Sequence, residues 1–168
     1  CSDMRQENKL KFVEIDQRKI GEDQEPYIVA EMSGNHNGKK ENALEIIKQA
    51  KNCGADAIKI QTYTADTLTI NHDSDEFMIK GGIWNGRNLY ELYDEAHTPW
   101  EWHEDMFELA KKIGITIFSS PFDETAVDFL EELNTPAYKI ASPELIDLGL
   151  IAKVAKTGKP IVVSSGMA

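Results

Sequence analysis

Two lysines stand inside short apolar runs, Lys59 in Ile58-Lys59-Ile60-Gln61 and Lys139 in Tyr138-Lys139-Ile140-Ala141-Ser142. An ammonium group in an apolar strand is costly to bury without a counter-charge. Either each lysine pairs with a carboxylate such as Glu31, or the two face one shared anion, a phosphate or a carboxylate. Ser120, Ser142 and Ser164 fall at the ends of successive apolar runs. There, hydroxyls and neighbouring backbone N–H groups can receive phosphate oxygens. Glu31 ends a further run and is either a salt-bridge partner or an acid/base group, and Glu144 is a second candidate of that kind. Gln61 shares the face of Lys59, because side chains alternate along a strand. Asn35, His36 and Asn37 lie in a turn-rich loop that could contact substrate or metal, whereas His97 and His103 flank a helix start and are read as structural. Neither a Ser-His-Asp order nor H-E-x-x-H occurs.

The elements that must position these groups alternate. Apolar runs at 28–31, 58–61, 115–120, 138–142 and 161–165 read as buried parallel strands with their chemistry at or near their C-terminal ends. Between them lie helical patterns. Ala43, Ile46, Ile47 and Ala50 recur at helical spacing, and Trp102, Met106, Leu109, Ala110 and Ile113 share a second face. Thr98-Pro99-Trp100-Glu101 reads as a capping box with proline at the first helical position. Asp123 and Asp147 are expected to cap the next two helices, and Gly54, Gly114 and Gly158 to end helices. Cys53, just before Gly54, is expected to be a packed thiol. Residues 11–20 alternate imperfectly and suggest a hairpin within an extension over 1–26. The longest irregular stretch, 62–97, holds a short helical piece near Leu89 and reads as an ordered substrate loop or lid.

Strand–helix alternation of this kind gives right-handed βαβ units and a parallel sheet. Polar groups at every strand end fit a ring of ends around one site, the arrangement of a barrel. A doubly wound sheet would concentrate chemistry at one switch point, usually behind a glycine-rich phosphate loop, and no G-x-G-x-x-G or Walker pattern is present. The fold class expected for 27–168 is therefore α/β: the first five strands of a (β/α)8 TIM barrel, with the sequence ending before closure.

Net charge is −11, from 29 acidic and 18 basic side chains, which argues against nonspecific nucleic-acid binding and against a basic membrane surface. Cys1 and Cys53 make neither a disulfide framework nor a metal motif. No apolar run approaches the roughly 18 residues of a membrane span, and no signal peptide is seen, so a cytoplasmic location is expected. Cys at position 1 reads as a processed, engineered or incomplete start.

Several stretches carry a family likeness. Ala30-Glu31-Met32-Ser33-Gly34-Asn35-His36-Asn37-Gly38, Lys59-Ile60-Gln61-Thr62, Phe118-Ser119-Ser120-Pro121-Phe122-Asp123, Tyr138-Lys139-Ile140-Ala141-Ser142 and Ser164-Ser165-Gly166-Met167 resemble the sialic acid synthase family. Lys80-Gly81-Gly82, Trp84-Asn85-Gly86-Arg87-Asn88-Leu89-Tyr90, the run from Glu95 to His103, and Ser33-Gly34 look like its pseudaminic acid synthase branch. The resemblance implies condensation of phosphoenolpyruvate with an N-acetylated amino sugar, 2,4-diacetamido-2,4,6-trideoxy-altrose for that branch, to give a nonulosonic acid. It implies that Lys59, Ser120, Lys139, Ser142 and Ser164 hold phosphoenolpyruvate, that Glu31 is the acid/base or water-orienting carboxylate, and that Gln61 and Glu144 face the sugar. A divalent metal, manganese or magnesium, is expected, with ligands beyond residue 168. So is a homodimer of the full-length protein, in which a C-terminal antifreeze-like domain reaches the partner's site. Alternatives are an N-acetylneuraminate or legionaminate synthase, an aldolase with a Schiff base at Lys139, and a non-catalytic anion-binding fragment.

Overall fold

The computed structural model describes residues 11–68 and 89–165. Residues 80–88 and Gly166-Met167, which carry part of the family likeness, lie outside them. An antiparallel hairpin, β1 (Phe12–Ile15) and β2 (Arg18–Gly21), comes first. The main sheet has five parallel strands, β3 (Val29–Glu31), β4 (Ala57–Thr62), β5 (Thr116–Pro121), β6 (Tyr138–Ile140) and β7 (Ile161–Val163). They pair in chain order with no reversal. A doubly wound sheet must reverse at its switch point. A wall that never reverses, wound with one hand, carries all its crossover helices on one face. It is the curled wall of a TIM barrel, its first five strands.

Helices α1 (Lys40–Asn52), α2 (Ala65–Leu68), α3 (Leu89–Ala96), α4 (Trp100–Ile113), α5 (Glu124–Glu132) and α6 (Leu148–Lys156) connect the strands, with a 3-10 turn at Ser142–Ile146. The outer core has two parts. Ile58, Ile60 and Ile117 pack on Ala43, Ile47 and Ala50 of α1 and on Met106 and Ala110 of α4. Tyr138 and Ile140 pack on Val127 and Leu130 of α5 and on Leu150 and Val154 of α6. The alternate residues of the same strands, including Lys59, Gln61, Ser120 and Lys139, therefore face the concave side.

The hairpin closes the lower end of that concavity. Ile15, 2% exposed, packs among Ala57, Phe118 and Ala137, and the Thr116 hydroxyl donates to Asp16 Oδ2 at 2.9 Å. The turn residues Asp16 and Gln17 have positive φ, a conformation Asp and Asn-like side chains tolerate best.

Caps at Asp123 and Asp147 form as expected, their carboxylates accepting from Ala126 N–H (2.9 Å) and Leu150 N–H (3.0 Å). Gly114 ends α4 at φ +80°, a left-handed position natural to glycine. Three expectations are corrected. The capping box at Thr98 does not form: α4 starts after Pro99 without a side-chain cap, because the Thr98 hydroxyl is taken by His36 Nε2 at 3.1 Å. Cys53 is exposed rather than packed, lying beyond the last buried turn of α1. And β3 and β7 are not buried: Val29 is 39% and Val163 53% exposed, since each strand borders the wall and lacks a neighbour on one side.

Candidate anion site at the strand ends

Glu31, Lys59 and Lys139 are brought together. They line one cavity of about 180 Å³ on the concave face, with Val29, Phe118 and Val162 as its apolar walls. Register places them there: Glu31 lies opposite Lys59 across β3 and β4, and Lys139 opposite Val162 across β6 and β7. Lys59 Nζ is 3.3 Å from Glu31 Oε1. Burial, then the charge of Lys59, lowers the Lys139 pKa from its ordinary value, and Glu31 only partly offsets this. Two ammonium groups thus share one carboxylate among the lining residues, and the cavity holds a net positive charge in a chain that is strongly negative overall. Such a site favours an anion.

Gln61 and Ser120 stand opposite each other near the ends of β4 and β5, one concave-face position above Lys59, and Ser120 is 2% exposed. Ser142 and Ser164 bridge the ends of β6 and β7, with their Oγ atoms 3.1 Å apart. Glu144 does not line the cavity. It sits on the 3-10 turn after β6, where its Oε2 is buried without a hydrogen-bond partner, and burial raises its pKa.

His36 is placed away from substrate chemistry. It is fully buried, accepts from Gly38 N–H at Nδ1 (3.0 Å), and so donates from Nε2 to Thr98. Its ring also meets Trp102 edge-on at 5.2 Å. His103 is structural as expected, but it belongs to a buried network with Thr62 and Ser119 that sequence reasoning missed. The signal available was Thr62 and Ser119 on the outer, apolar-facing sides of their strands. Two larger clefts, of about 420 and 460 Å³, lie elsewhere, and neither contains a pair of cations. The smaller cavity is where the charge converges. Among the described residues no group of three His, Cys, Asp or Glu side chains could hold a metal ion, and no helix is long and apolar enough to cross a membrane.

The model of the NeuB family matches residues 46–168. The chain belongs to the NeuB family. It is 53% identical to the pseudaminic acid synthase of Campylobacter jejuni over 87% of its own length, and 53% identical to that of Helicobacter pylori over 86%. Against the human N-acetylneuraminate-9-phosphate synthase it is 31% identical over 89%. It spans 43% of the length of each of the two bacterial relatives. Among solved structures it superposes on the N-acetylneuraminic acid (sialic acid) synthetase of Leptospira borgpetersenii, in complex with citrate. That match has a TM-score of 0.79 at 26% identity and covers 94% of this chain and 50% of the other. The structural match therefore extends over nearly the whole of this chain and half of the other.

Proposed function

We propose that this chain supplies the phosphoenolpyruvate cradle of a cytoplasmic, homodimeric nonulosonic acid synthase, and that the synthase makes pseudaminic acid from 2,4-diacetamido-2,4,6-trideoxy-altrose. The observation that carries the reading is the convergence of Lys59 and Lys139 on one cavity with a single carboxylate. The branch rests on identity: 53% to pseudaminic acid synthases, against 35% to the diacetyllegionaminic acid synthase of Legionella pneumophila and 31% to the human enzyme.

In this reading Lys59 and Lys139 bind the phosphate and carboxylate of phosphoenolpyruvate as point charges, and Ser120, Ser142 and Ser164 donate to the remaining oxygens. C3 of phosphoenolpyruvate forms the new bond to the sugar aldehyde carbon, whose oxygen takes a proton. A water adds to the cationic C2, giving its proton to Glu31. Phosphate leaves with the bridging oxygen and takes the proton of the new C2 hydroxyl, so that C2 becomes the keto carbon, and the proton gained by Glu31 balances the one taken by the aldehyde oxygen. Gln61 and Glu144 orient the sugar. A divalent metal, manganese or magnesium, would polarise the aldehyde when bound. The described residues offer it no ligand set, so its ligands are assigned to later strands and no step here is routed through it.

The test is phosphate release by the full-length protein with phosphoenolpyruvate, manganese and each of three sugars: the altrose precursor, its legionaminic counterpart and N-acetylmannosamine. Release with the first alone is expected. Release only with another sugar would keep the family chemistry and reassign the substrate. The lowered pKa of Lys139 also suits a Schiff-base lysine. Borohydride trapping of a carbonyl substrate on Lys139, without phosphate release, would favour that aldolase reading instead.

A further inference from the structure

Behind the concave face, on the side turned to the helices, three fully buried polar side chains join α4 to the ends of β4 and β5. His103 Nδ1–H donates to the Pro99 carbonyl at 3.1 Å, which leaves Nε2 to accept from the Thr62 hydroxyl at 2.9 Å. The Ser119 hydroxyl has two acceptors in reach, Thr62 Oγ1 at 2.6 Å and the Ile60 carbonyl at 3.1 Å. The first turn of α4 grips the same strand end a second time, through Trp100 Nε1–H to the Tyr63 carbonyl at 3.3 Å.

The position of this network is what gives it a role. Thr62 follows Gln61 in the chain, and Ser119 precedes Ser120. Gln61 and Ser120 are cross-strand partners on the opposite face. Consecutive strand residues point to opposite faces through one shared backbone, so pinning the outer residue sets the height and tilt of the inner one. Apolar side chains at 62 and 119 would fill the space but would leave the strand ends free to slide against α4. Hydrogen bonds of fixed length and direction do not.

We infer that His103 and Thr62 are positioning residues: their hydrogen bond, extended through Ser119, locks the ends of β4 and β5 so that Gln61 and Ser120 meet the bound phosphoenolpyruvate and sugar at a fixed distance. The inference rests on the anion-site reading above. Neither side chain touches substrate.

The experiment compares the full-length protein with Thr62→Val, which keeps the shape and removes the donor, with Thr62→Ser, which restores the donor, and with Ile47→Val, which loosens the core of α1 away from the network. Phosphoenolpyruvate affinity is measured by calorimetry, and KM and kcat by phosphate release. Thr62→Val is expected to weaken phosphoenolpyruvate binding and raise its KM about tenfold, short of the roughly hundredfold that a 1 Å misplacement can cost in rate. Thr62→Ser is expected to recover to within about twofold of the native protein. Ile47→Val, at comparable loss of thermal stability, should leave affinity unchanged. Equal affinity in Thr62→Val and native protein overturns the inference, and so does an equal loss in Ile47→Val, which would make the effect one of stability alone. Lys139→Met serves as the separate control: if it leaves phosphoenolpyruvate affinity intact, the anion-site reading itself falls. Where Thr62→Val does not fold, Ser119→Ala cuts the same network at its other end, and the same comparison decides.

Discussion

Lys139 sits where its own charge is a liability. Burial and the neighbouring Lys59 lower its pKa from 10.5, and Glu31 compensates only in part. The native state therefore holds its proton less tightly than the unfolded chain does. Between the lowered value and 10.5 the unfolded state binds more protons, so stability rises with pH through that window. Below that window the charged lysine weighs against the fold, and a nearby anion would relieve it. Lys139→Met should then stabilise the ligand-free protein and raise its Tm. In the proposed reading it should also abolish the rise in Tm expected on adding phosphoenolpyruvate to the native protein. A melting curve with and without phosphoenolpyruvate checks both. A variant that melts lower yet still responds to phosphoenolpyruvate would show that Lys139 is a structural ion-pair partner.

At the scale of elements, α4 is the helix that ties the wall together. Its buried face carries Met106 and Ala110 against β4 and β5, and its first turn meets the His36 ring through Trp102 and holds Thr62 and Tyr63 by hydrogen bonds. His103 on that turn is lowered to a pKa of about 4, chiefly by burial, against an ordinary 6.5. The unfolded state takes up a proton at that histidine as pH falls below 6.5, while the native state stays neutral until about 4. Stability present at pH 7 is thus lost across that window, by about 3 kcal/mol at roughly 1.4 kcal/mol per pH unit. Chemical denaturation of native protein and His103→Gln at pH 7 and pH 4 should show their stability difference shrinking by about that amount. A difference that stays constant would mean that His103 is charged in the native state. The helical faces, the Asp123 and Asp147 caps and the concave placement of Lys59 and Lys139 were legible because local periodicity decides them. The Thr98 cap misled because its hydroxyl has a tertiary partner, His36, 62 residues away in the chain, and no local pattern announces that. The Thr62–Ser119–His103 network was hidden for the same reason: each member is ordinary alone, and only strand register and the seating of α4 bring them together.

At the scale of the molecule, the sheet has two open margins. Ile28 precedes β3 and Val29 begins it, and Ile161, Val162 and Val163 form β7, all between 37% and 54% exposed. Unpaired apolar strand edges attract other strands, and five strands cannot close an eight-stranded ring. The hairpin shuts only the lower end of the concavity, through Ile15. At the upper end Ser142 meets Ser164, beside the margin where the remaining strands of a ring would join. In the proposed reading, water exclusion at the reacting carbons and polarisation of the aldehyde would depend on that completion, whereas Lys59, Lys139 and Glu31 already meet at one cavity. The isolated 168-residue chain should therefore bind phosphoenolpyruvate weakly, self-associate on raising its concentration, and release no phosphate with manganese and any of the three sugars. Light scattering and a phosphate assay beside the full-length protein decide this. Turnover by the isolated chain would mean that the half-wall carries the entire reaction, and that the strand ends described above include its metal and sugar ligands as well as its anion cradle.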